Sequence, residues 1–198
     1  RGAVDSLAYE LAFFRIDLED ELIPFELASQ PGRTFFANAG SSTRTGIESS
    51  LSWTADNGFG IGASYTWSDF TFDEFTDDNG NDFAGNRLPG VPEHFGYLSL
   101  SYVPDNGFSA LVEAVYTGSL YANNSNAARV GNHTVTNVRL GYEFSNGRWR
   151  VQPYLGINNL LDEEYNSNIR INAFGGRFFE PAPERNYYAG VVVGFEPR

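Results

Sequence analysis

The sequence contains no cysteine and no methionine among its 198 residues. It also lacks any apolar run long enough for a membrane-spanning helix, which needs about 18 such residues. The absence of cysteine suits an exported protein that folds without disulfides. The chain begins at Arg1 with neither an initiator methionine nor a signal peptide. We therefore expect a mature product or a part of a longer protein.

Positive charge is scarce, because 13 basic residues stand against 25 acidic ones and the formal net charge is −12. No basic stripe is present, so no nucleic-acid partner is expected. No Ser-His-Asp, Cys-His or paired-carboxylate site can be assembled, so the sequence predicts neither an enzyme nor a cofactor. No linker or low-complexity tract divides the chain, and residues 1–198 are expected to form a single domain.

Three Asn-Gly pairs lie between segments of alternating apolar and polar residues, at Asp56-Asn57-Gly58, Asp105-Asn106-Gly107 and Ser145-Asn146-Gly147. An Asn-Gly pair favours the type I′ turn of a two-residue hairpin, because both residues accept a positive φ. The connections at the opposite ends are longer, over residues 17–41, 73–91, 121–131 and 163–185. This asymmetry is typical of bacterial outer-membrane barrels, whose short turns face the periplasm.

Eight segments alternate between apolar and polar residues, which predicts about eight antiparallel strands. Their apolar face includes Leu11, Phe13, Ile47, Leu51, Ile61, Leu98, Leu100, Val112, Val138, Leu140, Val151, Leu155, Val191 and Val193. Trp53, Trp67, Tyr102, Tyr116 and Trp149 lie near strand ends on the same face, as in the aromatic girdles of membrane proteins. Alternation also explains the mean hydropathy of −0.33, since such strands show lipid only every second residue.

The opposite face is rich in Gly, Ser and Thr and also carries charge. Its charged positions are Arg44, Glu48, Glu113, Arg139, Glu143, Arg148 and Arg150. Small residues cannot fill a dry core, and each unpaired buried charge would cost several kcal/mol. We therefore predict that the apolar face meets lipid and the polar face lines a lumen. The alternative is a soluble β-sandwich binding module whose apolar face forms the interior.

Four motifs occur in the order found in a known family. They are Arg44-Thr45-Gly46-Ile47-Glu48, Leu88-Pro89-Gly90-Val91-Pro92-Glu93-His94, Asn158-Asn159-Leu160-Leu161-Asp162-Glu163-Glu164-Tyr165 and Glu184-Arg185-Asn186-Tyr187-Tyr188. With them the chain resembles the TonB-dependent outer-membrane receptors along nearly its whole length. The resemblance implies the last eight strands of a transmembrane barrel of about 22 strands, without signal peptide, TonB box or plug domain.

This resemblance also carries a functional expectation. It implies outer-membrane uptake of a scarce nutrient, with a ferric siderophore as the expected small-molecule ligand. The implied partners are membrane lipid and lipopolysaccharide, the barrel assembly machinery and, in the full-length receptor, a plug domain and TonB. The charges on the polar face would then face the plug. Gly190, Val193 and Phe195 of the final strand resemble the signal that the assembly machinery reads.

Two loops carry candidate binding residues. In the last long loop, Arg170 and Arg177 lie among aromatic residues that include Phe174 and Tyr165, which suits anionic or aromatic ligands. Packing or loop anchoring is the alternative role for the same residues. The acidic loop around Asp77, Asp78 and Asp82 could hold calcium, although it lacks the EF-hand spacing, and a solvated loop is the favoured interpretation. His94 and His133 are interpreted as residues at strand starts.

A second functional class remains open at this point. The eight segments could instead form a self-contained eight-stranded outer-membrane barrel with a structural or adhesive role, its narrow lumen filled by its own charges.

Overall fold

Eight strands of nine or more residues form one antiparallel sheet in the computed structural model, which describes residues 1–4, 6–27, 29–38, 40–77 and 79–196. In chain order the strands are β1 (Gly2–Val4), β2 (Leu7–Glu19), β3 (Leu22–Glu26), β4 (Thr34–Asn38), β5 (Ser41–Thr54), β6 (Phe59–Glu74), β7 (His94–Tyr102), β8 (Phe108–Thr117), β9 (Leu120–Tyr121), β10 (Arg129–Val130), β11 (His133–Tyr142), β12 (Phe144–Asn146), β13 (Trp149–Asn158), β14 (Asn166–Ile169), β15 (Phe179–Pro181) and β16 (Asn186–Phe195). A short 3-10 helix covers Phe174–Gly176. None of the helical residues in these ranges forms a segment long and apolar enough to cross a membrane.

The long strands pair in chain order, β2-β5-β6-β7-β8-β11-β13-β16, and β1 and β12 extend this sheet at short hairpins. The all-β antiparallel fold and the eight predicted strands are therefore confirmed. Among the described residues no pairing joins β16 to β2, so the sheet is open. A self-contained eight-stranded barrel would need that pairing to close.

The short turns differ from the predicted type I′ form. Only the glycines of the three Asn-Gly pairs have a positive φ, at +84° for Gly58, +88° for Gly107 and +63° for Gly147. At the first turn Gly58 N–H donates to Ala55 O at 3.0 Å and Ala55 N–H donates to Phe59 O at 2.7 Å. This is a three-residue loop, in which a type I turn is followed by a left-handed glycine.

The asparagine side chains explain why the type I′ prediction was wrong. Asn57 Oδ1 accepts the Phe59 N–H at 3.1 Å and Asn106 Oδ1 accepts the Phe108 N–H at 3.0 Å, which fastens the turn without a positive φ at Asn. In the third turn Asn146 pairs with Trp149 inside the sheet, so the loop is Gly147-Arg148. Arg148 consequently lies in a turn and not on the polar face of a strand.

The register brings the predicted apolar residues together on one face. One continuous row runs through the paired residues Leu7, Trp53, Ile61, Leu100, Val112, Val138, Ile157 and Tyr187. The row begins at the turn end of β2 and finishes at the loop end of β16. This stagger is what a sheet needs in order to curve into a barrel.

The apolar face is not covered by other parts of the described chain. Phe13 is 72% exposed, Val193 is 56% exposed and Leu140 is 37% exposed. No second sheet packs on this face among the described residues, so the β-sandwich alternative is wrong. In β6 the apolar face runs from Phe59 to Trp67, which matches the roughly nine to eleven residues of a membrane-spanning strand.

Strands β2, β5 and β6 continue beyond this apolar stretch, further than the alternation predicted. The outward positions become charged there in β2, at Arg15 and Asp17, and in β6, at Asp69, while β5 presents Thr43 and Thr45 between them. Because charge is costly in lipid, these strand ends fit a position outside the hydrocarbon layer.

Among the described residues, a hydrophobic core lies where the end of β6 meets the first two long connections. Ile23, Phe72, Phe75 and Leu88 are each no more than 7% exposed, and Phe70 and Phe83 pack against them. Phe72 and Phe75 have ring centroids 5.0 Å apart, and Phe75 and Phe83 5.3 Å apart. The first two connections therefore pack against the end of β6.

Candidate functional site

Four long connections meet at the loop end of the sheet. They cover residues 20–40, 75–93, 118–132 and 159–185, and we call their described residues the loop platform. Three of them contain small hairpins, formed by β3 with β4, β9 with β10 and β14 with β15. The predicted loops are thus confirmed as connections, but they have ordered structure that the sequence pattern did not reveal.

Asparagine side chains join the four connections. Asn172 Nδ2 donates to Pro24 O at 2.9 Å and to Asn124 Oδ1 at 3.0 Å, while its Oδ1 accepts the Asn124 N–H at 2.9 Å. Asn86 Nδ2 donates to Asn124 O at 2.9 Å. Asn124 is only 9% exposed. One pair of asparagines therefore links all four parts of the loop platform.

A further asparagine, Asn126, both accepts a hydrogen bond from the backbone of Arg87 and donates one to it. Its Oδ1 accepts the Arg87 N–H at 2.8 Å and its Nδ2 donates to Arg87 O at 2.9 Å. Asn126 and Asn172 both have a positive φ, +56° and +53°, which asparagine tolerates better than most side chains. These positions need asparagine for its backbone conformation and for its amide.

A buried carboxylate fastens the last connection to the first. The side chain of Glu26 is 5% exposed and accepts a hydrogen bond from Arg170 Nη2 at 2.7 Å, while Arg177 Nη2 lies 3.9 Å away. The backbone N–H groups of Gly32 and Phe174 donate to it at 3.2 Å and 3.3 Å. The Gly32 hydrogen bond, the Phe174 hydrogen bond and the two arginines lower the pKa of Glu26 below 4.5, against an opposing desolvation effect.

This arrangement bears directly on the predicted ligand residues Arg170, Arg177, Phe174 and Tyr165. Both arginines are engaged with Glu26, and Phe174 supplies a backbone donor to the same carboxylate. The ring of Phe174 is 44% exposed. Tyr165 lies apart from these three, against His133. A role for the four in ligand binding stays a prediction, and the structure does not bring them together as one cluster.

A pocket of about 580 Å³ lies on the polar face directly beneath the loop platform. Strands β7, β8 and β11 contribute Phe95, Val115, Val135, His133 and Asn137, and the last connection contributes Tyr165 and Ile169. The rings of His133 and Tyr165 are stacked, with centroids 4.8 Å apart and planes inclined by 25°. His133 is the first residue of β11 and His94 the first of β7, as interpreted from the sequence.

The turn end of the polar face holds a cluster of charged and amide groups. Arg150 Nε lies 3.3 Å from Glu143 Oε1 and Arg150 Nη2 lies 3.5 Å from Glu196 Oε1, while Gln152 donates to Glu143. The Arg139 guanidinium lies 4.2 Å from the ring centroid of Tyr154. Of these residues, Arg139, Glu143, Gln152 and Tyr154 line a second pocket of about 410 Å³.

The other predicted polar-face charges are spread along the sheet. Glu113 accepts a hydrogen bond from Tyr97 Oη at 2.5 Å, and Glu48 is exposed. Arg44 pairs with Glu21, which also accepts a hydrogen bond from the buried Ser42 at 2.7 Å. Arg44 thus anchors the first connection. Whether these charges contact a plug stays a prediction.

The motif at residues 158–165 has a clear structural role. The buried Asn159 has a φ of +52°, and its side chain accepts from the Glu163 N–H and donates to Glu163 O, both at 2.9 Å. Asp162 Oδ1 accepts the Arg185 N–H at 2.8 Å, and Asp162 Oδ2 lies 3.3 Å from Arg185 Nη2. The motif therefore positions the start of β16.

The three predicted assembly residues lie on different faces of β16. Val193 and Phe195 are on the apolar face, where Phe195 and Trp149 have ring centroids 4.9 Å apart. Gly190 is on the polar face, where the Tyr154 ring lies over its backbone. Gly156 accommodates the Tyr188 ring in the same way, so two glycine–tyrosine contacts join β13 to β16.

The acidic loop is held by its own hydrogen bonds. Asp77 accepts bonds from the Asn79 N–H, the Asn81 N–H and Asn81 Nδ2 at 2.9 to 3.0 Å, and chiefly the Asn81 side chain lowers its pKa below 3.8. Asp82 Oδ1 accepts the Ala84 N–H at 3.0 Å. Asp78 lies outside the described residues. Within the described ranges no group of three His, Cys, Asp or Glu side chains could hold a metal ion.

Sequence reasoning missed Glu26 and the linking asparagines. Glu26 lies in a short apolar segment, and its role depends on Arg170, which is 144 residues further along the chain. The asparagine-rich stretch at residues 123–126 was the available signal, but the same composition is also typical of an ordinary solvated loop.

Comparison with known proteins gives consistent matches. A family model described as "TonB dependent receptor-like, beta-barrel" matches residues 2–160. The ferrichrome outer membrane transporter/phage receptor of Escherichia coli (strain K12) is 29% identical over 155 residues, which is 75% of this chain and 20% of that protein.

Two solved structures share the fold. The siderophore receptor PiuA from Acinetobacter baumannii matches 97% of this chain and 26% of its own, with a TM-score of 0.75 at 23% identity. The ferric yersiniabactin uptake receptor FyuA from Yersinia pestis matches 98% of this chain and 28% of its own, with a TM-score of 0.71 at 20% identity. The chain thus spans between a fifth and a third of the proteins it matches.

Proposed function

This chain belongs to the TonB-dependent receptor β-barrel family, and we propose that it forms part of the barrel wall of a receptor that takes up a ferric siderophore. The family is one of receptors and transporters, and its members bind small-molecule ligands. The chain is an outer-membrane protein, like the transporter it resembles in sequence. Residues 1–198 act in this proposal as one wall segment, and we propose no catalytic role for them.

One observation carries the proposal: the two faces of the sheet suit two different solvents. From β2 to β16 the paired row from Leu7 to Tyr187 is apolar, while the polar face holds the charges of Glu113, Arg139 and Arg150. Strands of this kind cross a membrane only in a closed sheet, because every backbone N–H and C=O group at a strand edge then has a hydrogen-bond partner. In the proposal, the rest of the receptor supplies the strands that pair with the free edges of β2 and β16.

The finer partners follow from this placement. Lipid and lipopolysaccharide would cover the apolar face, the plug domain would meet the charged cluster of Glu143, Arg150 and Arg139, and TonB would act on the plug. We propose that the barrel assembly machinery reads the apolar residues Val193 and Phe195. The short turns would face the periplasm, and the loop platform would face the outside, where it meets the ligand.

Uptake of iron chelates tests the proposal. The receptor that carries this chain would be produced as the sole siderophore receptor of a cell, and uptake of a panel of radioactive ferric siderophores would be measured with and without TonB. We expect accumulation of at least one ferric siderophore that stops when TonB is removed. Cells without the receptor serve as the control. If no chelate accumulates above that control, or if accumulation persists without TonB, the proposal fails.

A further inference from the structure

Among the described residues, no carboxylate or guanidinium group lines the pocket beneath the loop platform. Its lining includes Phe95, Val115, Val135, His133 and Tyr165. By contrast, another pocket on the polar face is lined by Arg139, Glu143 and Gln152. A concavity of about 580 Å³ falls in the range of small-molecule sites, roughly 300 to 1,000 Å³.

The arginines beside the lining residues Val130 and Ile169 are already engaged. Arg129, which precedes Val130, donates from Nη2 to Ser119 Oγ at 2.8 Å. Arg170 follows Ile169, which lines the pocket, but its guanidinium binds the buried Glu26 at 2.7 Å. Arg177 lies 3.9 Å from the same carboxylate. An anionic group that entered the pocket would lose water without gaining an arginine in exchange, which is unfavourable. The pocket therefore disfavours an anionic group.

Two stacked rings form one wall of the pocket. His133 and Tyr165 lie 4.8 Å apart between centroids, and both line the cavity. The pocket is also lined by Gly90, Gly118 and Gly131, which have no side chains to obstruct a planar group. Thr117, Asn137 and Ser167 supply neutral hydrogen-bonding groups around the cavity. A planar ring with neutral substituents matches both the stacking surface and this polarity.

We infer that this pocket binds an uncharged aryl group of a ligand, and that the charged or metal-chelating part of the ligand stays outside it. The inference rests on the proposed receptor function, and it names the part of the ligand that this chain would recognise. It keeps Tyr165 from the sequence expectation, adds His133, and does not place recognition at Arg170 and Arg177.

Small fluorinated probes test the inference on the intact receptor in detergent. Fluorine NMR line broadening would measure the affinity of neutral 4-fluorobenzamide, of anionic 4-fluorobenzoate and of a saturated fluorinated cyclohexane carboxamide. We expect the benzamide to bind at least about tenfold more tightly than either of the others. No detectable binding of the benzamide up to its solubility limit would overturn the inference. Equal binding of the benzoate or of the saturated ring would overturn it as well.

Matched variants locate the binding. Val115→Trp fills the pocket, whereas Leu111→Trp adds the same bulk four residues away on the same face of β8, outside the lining. We expect Val115→Trp to weaken benzamide binding by about tenfold or more and Leu111→Trp to change it less than about twofold. Equal effects of the two would place the probe elsewhere. His133→Phe should retain binding and His133→Ala should lose it, since only the first keeps a stacking ring.

The uptake experiment keeps the two claims separate. If the receptor accumulates ferric siderophores through TonB but does not discriminate between the probes, only this inference is wrong. A receptor that accumulates no chelate would sink the proposed function, whatever the probes do.

Discussion

At the residue scale, single side chains decide how neighbouring parts of this protein meet. Gly190 and Gly156 each lie under a tyrosine ring of the adjacent strand, and Glu26 gathers two arginines and two backbone donors. The sequence marked Gly190 as part of a final-strand signal, but it could not show the ring above it. The register that aligns Gly190 with Tyr154 appears only when β13 and β16 are paired.

Gly190→Ala is expected to destabilise the sheet, because the new methyl group would overlap the ring of Tyr154. Overpacking of this kind costs about 1 to 3 kcal/mol. Gly194→Ala is the matched control, since a methyl group there meets Arg150 Cβ at an ordinary 3.7 Å. Urea titration of the receptor in micelles would measure both. Equal stability of the two variants would show that the contact between Gly190 and Tyr154 does not contribute to the free energy of unfolding.

Glu26→Gln is expected to loosen the last connection from the first. Because the folded state lowers the pKa of Glu26 below 4.5, its contribution is complete above that pH and is lost as pH falls through the lowered pKa. Proteolysis of the 163–185 segment should therefore rise several-fold in acid for the native chain. In Glu26→Gln it should be high at neutral pH already and change little with acid. Acid sensitivity that persists in the variant would implicate a different group.

At the element scale, the strands were far more predictable than the loops. Alternation with a period of two specifies which face each residue of β6 or β13 occupies, and pairing of neighbouring strands follows from short turns. The connections have no such period. Their order depends on contacts such as Asn172 with Asn124, which lie 48 residues apart in the chain. Type I′ turns were predicted from Asn-Gly composition alone, which does not distinguish them from a type I turn followed by a glycine.

Asn172→Ala is expected to separate the connections of the loop platform from one another while leaving the sheet folded. The substitution removes both bonds from Nδ2 and places alanine at a φ of +53°, and leaving a buried partner unsatisfied costs about 1 to 3 kcal/mol. Hydrogen exchange at the Asn124 amide would report the release, since that N–H donates to Asn172 Oδ1. Asn168→Ala, which removes an exposed bond to Glu180, is the control. Unchanged protection at Asn124 would contradict the linking role.

At the scale of the whole molecule, the described chain is an open sheet with one apolar and one polar face, and the long loops pack together at one end of it. The fold class, the apolar face, the outer-membrane location and the family resemblance were all predictable, because membrane solvation acts on every strand in the same way. The pocket was not predictable. It needs His133 and Tyr165 stacked across a segment that begins on β11 and returns by way of β13.

Val112→Arg is expected to impair folding into a bilayer, whereas Leu111→Arg is expected to be tolerated. The two positions are adjacent on β8, but Val112 belongs to the apolar row and Leu111 to the polar face. An arginine facing lipid near the bilayer midplane costs about 2 to 4 kcal/mol, while lumen positions accept charge. The folded fraction recovered in lipid vesicles would measure the difference. Equal recovery would mean that the faces have been assigned the wrong way round.

The shared core of Ile23, Phe72, Phe75 and Leu88 has a practical consequence for protein engineering. Replacement of the first connection alone would remove Ile23 from that core, and replacement of the second alone would remove Phe75 and Leu88. Transplants that alter ligand choice should therefore succeed when these two connections are exchanged together, and exchange of one without the other should yield poorly assembled chimaeras.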